Sequence, residues 1–390
     1  TCHIREKAAE KLYSEIGKIA QLKNSKKNLK LVVAGCVAQA EGKAMIVRQP
    51  NIDVIIGPQM YHSFSKILQS SYKEKQIKLN FENKEKFKSL GTKRVFSNTS
   101  SFLTVQEGCD KFCSFCVVPF TRGIEYSRSL KQILEEANIL VEKGCKELIL
   151  LGQNVNAYHG INTKGVEINL ATLISELEKI AGLERISYTT SHPKDMDDEL
   201  IRLHGKSDKL NPYLHLPVQS GSNRILKMMN RKYTTENYKL IIDKIRKICP
   251  EIAISSDFIV GFPGETEKDF SQTLKLVNDI DFAQSYSFKY SPRPGTKASR
   301  LDNHVTDKVS NERLYELQNI LNIQHKKFNK RFLNKEVDIL YKGKGKKEMQ
   351  GRGASKWMQV VNFEHSSEFH YKIKVKITEA YSNSLKGVML

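Results

Sequence analysis

Apolar positions along the chain change their spacing several times, and each change predicts a different element. Ile4 to Ile19 is rich in helix formers, with Ala8, Leu12 and Ile16 at a four-residue repeat, the spacing of one helix face. Leu31 to Cys36 and Val54 to Gly57 are short apolar runs closed by glycine turns, which predict buried strands. Residues 1–70 are therefore expected to form part of an α/β layer. From Ser71 to Arg94 the apolar density falls and lysines crowd in (Lys73, Lys75, Lys78, Lys84, Lys86, Lys88, Lys93), so this stretch is expected to be a linker.

Six strand-like runs come next: Phe102–Val105, Glu147–Leu151, Arg185–Tyr188, Tyr213–Leu216, Ala253–Ile259 and Ser285–Phe288. Helical patterns alternate with them at Leu130–Lys143, Leu170–Ile180, Thr235–Ile248 and Glu267–Val277. Repeated βα units require parallel strands with right-handed crossovers, and place ligand chemistry at the C-terminal strand ends. Polar and glycine-rich words stand at those ends: Gln106 to Cys109, Gly152 to Asn154, Gln219 to Gly221, and Gly261 to Gly264. Leu314, Leu317, Leu321 and Phe328 then mark a helix expected to pack on the barrel's flank. Beyond it, alternation such as Tyr371 to Ile377 predicts half-buried strands of a small basic β-barrel.

Composition narrows the partners. The chain has 390 residues, with 63 Lys+Arg against 43 Asp+Glu, a net charge of +20 that points to a polyanion. Hydrophobic residues make up 39%, enough for real cores and too many for a wholly disordered chain. No run approaches the roughly 18 apolar residues of a membrane helix, and the first residues are charged where a signal peptide is apolar. The expectation is a soluble, cytoplasmic protein in a reducing compartment, with no membrane partner and a monomeric state. Its seven cysteines, an odd number, argue against a disulfide framework and for ligand or catalytic roles. The chain begins at Thr1 without an initiator Met, so its start is expected to be missing.

Three of the cysteines stand close together: Cys109-Asp-Lys-Phe-Cys113-Ser-Phe-Cys116. Such a loop can wrap an iron–sulfur cubane, one thiolate per iron, leaving a fourth iron open for substrate. Zinc is the alternative, although a structural zinc site takes four ligands and no second Cys or His pair follows at short range.

A CxxxCxxC loop after the first strand of a βα array resembles the signature of the radical S-adenosylmethionine (SAM) superfamily. The words Cys116 to Arg128, Leu151 to Tyr158, Thr190 to Pro193, Leu214 to Asn223, Asp257 to Thr266 and Phe288 to Thr296 narrow the likeness to MiaB-type tRNA methylthiotransferases. Thr1 to Ala8 and Val33 to Gln39 are similar to that family's N-terminal domain, and the basic tail to its TRAM module.

This resemblance implies an α/β fold class: an incomplete flavodoxin-like N-terminal domain (1–70), a linker (71–94), a partial (β/α)6 radical SAM barrel (95–327) and a small antiparallel TRAM β-barrel (328–390). It implies SAM bound to a 4Fe-4S cluster on Cys109, Cys113 and Cys116, shielded by Phe112 and Phe115. One electron cleaves SAM to a 5′-deoxyadenosyl radical that takes hydrogen from carbon 2 of an isopentenyladenosine 3′ of the anticodon. A second 4Fe-4S cluster, the sulfur source, would rest on Cys2 and Cys36. Its first ligand belongs to a Gly-Cys-Gln-Met-Asn-like word expected upstream of Thr1. Cys145 and Cys249 match no family ligand and read as small core thiols.

The glycine turns Gly152, Gln153 and Asn154, Gln219 and Ser220 up to Ser222, and Ile259 with Gly261 up to Gly264, are the candidate SAM contacts, because such turns let backbone amides approach a nucleotide. Barrel loops also use glycines for purely structural turns. Arg122, Arg128, Arg293 and Arg300 are candidate RNA contacts, against the alternative of solvated arginines or internal ion pairs. The implied partners are a tRNA carrying isopentenyladenosine and a flavodoxin-like or ferredoxin-like electron donor. Residues 331–390, with 12 Lys+Arg against 6 Asp+Glu, would add a salt-sensitive phosphate grip. Rival readings are a paralogue acting on threonylcarbamoyladenosine in tRNA or on a ribosomal-protein aspartate, and a non-catalytic tRNA-binding remnant.

Overall fold

The computed structural model describes residues 6–26, 28–71, 74–81, 86–87, 99–347, 349–364 and 371–390, which group into two units. The first comprises residues 1–94, 107–126 and 291–300, and the second residues 95–106, 127–290 and 301–390.

In the first unit, helix α1 (Glu6–Ser25) is followed by β1 (Val32–Ala34), α2 (Cys36–Glu41), α3 (Lys43–Arg48), β2 (Val54–Ile56), α4 (Phe64–Ser70) and β3 (Gln76–Lys78). The three strands pair in parallel, in the order β1-β2-β3. The buried stripe of α1 is Ala9, Tyr13 and Ile16, which packs on Val33, Val37, Met45 and Ile52. Ile16 is on it as expected, while Ala9 and Tyr13 take the places expected for Ala8 and Leu12, and Leu12 lies at its margin. The lysine-rich stretch expected to be a linker contributes β3: Ile77 and Leu79 pack on this core while Lys75 and Lys78 stay in water. A short helix, α5 (Val118–Arg122), belongs to the same unit and packs against α2.

The second unit holds the six expected strands: β4 (Ser100–Thr104), β5 (Glu147–Leu151), β6 (Arg185–Thr189), β7 (Tyr213–His215), β8 (Ala253–Val260) and β9 (Gln284–Lys289). They are parallel, in the orders β6-β5-β4 and β7-β8-β9, and a parallel bridge between Ile186 and Leu210 lies near the junction. Helices α6 (Leu130–Glu142), α7 (Leu170–Glu178), α8 (Asp198–Leu203), α9 (Asn223–Met228), α10 (Thr235–Ile248) and α11 (Glu267–Ile280) cover the outside. Their inward faces join Leu148, Leu150, Ile186, Leu214 and Phe258 in one core, where each fully buried large side chain contributes roughly 1.5–3 kcal/mol. Helix α12 (Asp307–Lys330) joins two cores: Leu317 and Leu321 sit against the βα array, and Phe328 in the core of the C-terminal strands.

Those strands form a closed five-stranded barrel of β10 (Glu336–Lys344), β11 (Gln350–Ala354), β12 (Val360–Glu364), β13 (Lys372–Ala380) and β14 (Leu385–Met389), in the order β10-β11-β12-β14-β13. All its pairs are antiparallel except β12 with β14, the parallel seam that closes it. It docks on the N-terminal ends of the parallel strands. Arg185, the first residue of β6, donates to the carbonyls of Ala354 (3.0 Å) and Asp338 (2.9 Å). Glu147, the first residue of β5, accepts from Lys342 Nζ at 2.8 Å and from the Ser100 hydroxyl at 2.6 Å. The glycine-rich turns lie at the opposite strand ends of the same unit.

Candidate functional site

Between β4 and α5 the chain forms an irregular loop, and local rules explain its course. Gly108 has φ +78°, and a Cβ there would lie 2.0 Å from the Ile124 carbonyl oxygen, so only glycine fits. The Cys109 amide donates to the Gly123 carbonyl (3.3 Å) and the Cys116 amide to the Cys113 carbonyl (3.0 Å). The Val118 amide donates to Cys116 Sγ at 3.5 Å, the kind of N–H···S contact that steadies a ligating thiolate. From residues 291–300, the Ala298 amide closes on the Ser114 carbonyl at 2.8 Å.

Cys109, Cys113 and Cys116 are each half-buried. Burial pushes the Cys109 thiol above its ordinary value and the neighbouring Cys113 adds to this, while the Lys111 amide and ammonium oppose. Bound iron would remove that proton outright. No group of three or more Cys, His, Asp or Glu among the described residues is gathered tightly enough to hold a single ion. An all-thiol donor set spread around a half-open loop, with an amide already aimed at one sulfur, fits a cluster. Phe115 is half-buried beside it, whereas Phe112, expected as a shield, is 49% exposed with φ +47°.

Cys36 is the first residue of α2, and α2 packs on α5, which begins two residues after Cys116. The first unit thus places the helix that Cys36 opens against the helix that follows the three-thiol loop. Cys2 lies outside the described residues. Cys145 and Cys249 are buried, and Cys145 donates to the Glu147 carbonyl at 3.0 Å, as expected of core thiols.

At the end of β5, the turn Gly152-Gln153-Asn154 is held by Gln106, a fully buried residue whose place before the cysteine loop carries no sign of this role. Its Oε1 accepts from the amides of Gln153 (2.9 Å) and Asn154 (3.2 Å). A Cβ on Gly152 would sit 2.5 Å from that oxygen. Asn154 donates to Asp195 at 2.8 Å, but its own Oδ1, and the Ser191 Oγ beyond the neighbouring strand, are buried without a partner among the described residues. Two orphaned polar atoms near adjacent strand ends are the local sign of a polar ligand.

The other two turns have internal reasons. Gln219 (φ +74°) is laced to β8, its amide donating to the Asp257 carbonyl and its carbonyl accepting from the Ile259 amide, both at 2.9 Å. The Ser220 hydroxyl is buried against Thr273 and the Ser222 amide, and Ser222 caps α9 while donating to Asp269 at 2.6 Å. A Cβ on Gly221 would meet the Thr273 Cα and the Gln272 carbonyl, each at 2.5 Å, so this glycine lets α11 approach. Gly221→Ala is expected to lower unfolding stability by about 1–3 kcal/mol, read in urea titration. Ile259 is half-buried, and the Gly261 amide donates to Glu265 Oε2 (2.7 Å), itself held by Arg313 at 2.9 Å.

The four candidate arginines divide. Arg128 is buried with Glu136 (2.7 Å) and the Thr104 carbonyl (2.6 Å). Arg122 donates to Glu107 at 3.0 Å, and Arg293 is buried. Arg128 is thus committed inward and Arg122 is partly exposed, while of these four Arg300 alone is well exposed. On the face of β7, β8 and β9 that carries Ile259 and Phe288 stand His215, Asp257 and Tyr286. His215 contacts the Ser255 hydroxyl at 3.0 Å and Asp257 at 3.5 Å. No helix among the described residues is long and apolar enough to cross a membrane.

Family models match in three places: the Radical SAM superfamily over residues 103–277, the TRAM domain over 330–390, and the Uncharacterized protein family UPF0004 over 1–57. The tRNA-2-methylthio-N(6)-dimethylallyladenosine synthase of Ehrlichia canis is 50% identical over 397 residues, covering all of this chain and 90% of its own length. The protein of the same name from Zymomonas mobilis is 48% identical over 390 residues, covering all of this chain and 87% of its own length. Among solved structures, the radical SAM methyltransferase TsrM of Kitasatospora setae, with tryptophan and a SAM analogue bound, superposes with a TM-score of 0.55 at 13% identity. That match covers 73% of this chain and 60% of the other, and shows a shared fold.

Proposed function

Because the chain belongs to the radical SAM family of the tRNA-2-methylthio-N(6)-dimethylallyladenosine synthases, we propose that it places a methylthio group on carbon 2 of isopentenyl (dimethylallyl) adenosine beside the anticodon. It is a radical SAM tRNA methylthiotransferase that carries a TRAM module. Cys109, Cys113 and Cys116 would hold the 4Fe-4S cluster, with one iron left for the amino and carboxylate groups of SAM. When bound, that cluster supplies the one electron that cleaves SAM and starts radical chemistry at carbon 2.

The chain's own residues supply position and shelter. Gly108 turns the loop, the Val118 amide steadies one sulfur, and Gln106 fixes the Gly152–Asn154 amides where a nucleotide can approach. Asn154 Oδ1 and Ser191 Oγ offer hydrogen bonds to SAM or to the purine. Cys36, with Cys2, would hold the second cluster and so the sulfur to be transferred. The adenine must leave its stack to reach such a site, as loop bases do when proteins splay them out. Lysines of the C-terminal barrel would grip phosphate, with an affinity that falls steeply with salt. A flavodoxin-like or ferredoxin-like donor, a monomeric state and a cytoplasmic location complete the reading, with a first domain that extends past residue 70 to include β3, a core of 95–327 and a C-terminal domain of 328–390.

The observation that carries it is the packing of α2, which Cys36 opens, on α5, which follows Cys116. Deleting the gene is expected to remove 2-methylthio-isopentenyladenosine from tRNA, seen by nucleoside mass spectrometry, and to leave isopentenyladenosine in its place. Unchanged levels would sink the assignment.

A further inference from the structure

Glu107 stands two residues before Cys109, and its side chain is 5% exposed. Its Oε1 accepts from Lys86 Nζ at 2.6 Å and from Arg122 Nη1 at 3.0 Å. Gln59, fully buried, completes a ring: its Nε2 donates to the Arg122 carbonyl at 3.0 Å and its Oε1 accepts from Lys86 Nζ at 3.4 Å. Lys86 is itself seated by the next residue, since Phe87 stacks on Tyr126 with ring centroids 5.6 Å apart.

The origin of these four side chains matters more than their number. Gln59 and Lys86 come from the part of the chain that also supplies Cys36, and Lys86 lies within electrostatic reach of that thiol. Glu107 and Arg122 bracket the cysteine loop, one entering it and the other ending α5. The ring therefore ties the Cys36 layer to both ends of the loop that bears Cys109, Cys113 and Cys116, within one unit. Packing of two short helices, α2 and α5, leaves their separation loosely set, because van der Waals and hydrophobic contact is non-directional. Charge-assisted hydrogen bonds have short, fixed geometry, and a buried carboxylate left unpaired is costly, so the ring has one favourable register.

We propose that Glu107, clamped by Lys86, Arg122 and Gln59, is a positioning residue that sets the spacing between the sulfur-donating site at Cys36 and the radical-generating cysteine loop, and thereby couples SAM cleavage to sulfur insertion. This rests on the methylthiotransferase reading above. Glu107 is given no part in ligating the cluster. Its effect is on how often a radical formed on one side meets sulfur held on the other, and misplacement of reacting groups by about 1 Å can cost on the order of a hundredfold.

The test compares the wild type with Glu107→Gln, which keeps the shape and loses the charge, and with Arg122→Lys, which keeps the charge. In reconstituted protein given SAM, dithionite and isopentenyladenosine-bearing tRNA, the ratio of methylthiolated nucleoside to 5′-deoxyadenosine is measured. Glu107→Gln is expected to lower that ratio on the order of tenfold or more, and Arg122→Lys to keep most of it. A second measurement uses cluster-free protein and a short bis-maleimide, with cross-linked peptides joining Cys36 to the loop cysteines counted by mass spectrometry. Their yield is expected to fall in Glu107→Gln while single labelling of each thiol stays level.

A wild-type ratio together with a wild-type cross-link yield overturns the proposal. So does a parallel fall of both products with an unchanged cross-link, which would place Glu107 in the loop's own integrity. If the wild type makes no methylthiolated nucleoside, the enzymatic reading fails, and the cross-link yield still decides the clamp. Should Glu107→Gln not fold, Lys86→Gln removes one strut and reads the same two quantities.

Discussion

Cys113→Ser is expected to abolish 5′-deoxyadenosine formation while leaving a folded protein that still binds tRNA. The thiol is half-buried, so exchanging sulfur for a hydroxyl should change stability by no more than about 0.5 kcal/mol. A serine hydroxyl is a poor iron ligand, and losing one of three thiolates leaves the cluster held by two. Binding to tRNA rests on the basic surfaces and should keep its salt dependence. The loss is read by anaerobic incubation with SAM and dithionite followed by chromatography. Cys145→Ser is the control, since that thiol is buried in the core and hydrogen-bonded to the Glu147 carbonyl. Equal 5′-deoxyadenosine from wild type and Cys113→Ser would refute the ligand assignment.

Lys342→Ala is expected to cost about 3 kcal/mol, the usual scale for leaving a buried charge without its partner. Glu147 is wholly buried at the start of β5, and Lys342 comes from the first strand of the C-terminal barrel. Burial pushes the Glu147 carboxyl up, but the Lys342 ammonium, the Ser100 hydroxyl and Arg185 outweigh it and hold it below the ordinary carboxylate value. A depressed carboxylate stabilises the fold above its unfolded-state value, and the gain is lost as pH falls through the depressed one. The wild type should therefore lose this contribution only below about pH 4, whereas Lys342→Ala should start from a lower melting temperature at neutral pH and respond less to acid. Calorimetry across pH 3–7 checks both. A melting temperature like that of the wild type at pH 7 would show that the pair does not hold the barrel in place.

Both predictions depend on features that are unequally legible in the sequence. The cysteine loop is legible because its ligands fall within eight residues, a local signal. The six parallel strands are legible because strands covered on both faces read as unbroken apolar runs, as in Leu148 to Leu151. The Glu147–Lys342 pair joins residues far apart in the chain, and nothing near either one announces it. The glycine words are only partly legible for a related reason. Gly221 has, besides any nucleotide it meets, a packing reason to be glycine, since the Thr273 backbone comes within contact, a fact visible only once α11 is in place. The arginines show the same limit, since a guanidinium reads identically whether Glu136 or a phosphate is its partner. Strand β3 escapes the pattern because three residues among lysines are too short a signal to separate from a solvated segment.

The first unit is discontinuous in the chain, and this bears on how the protein is born. The cysteine loop at 107–126 leaves the ribosome well before residues 291–300, whose Ala298 amide closes on Ser114. At ordinary elongation rates the interval lasts on the order of ten seconds or more. Throughout it the Ser114 carbonyl is without the partner that residues 291–300 bring. The loop's last backbone contact therefore waits until the βα array has been synthesised.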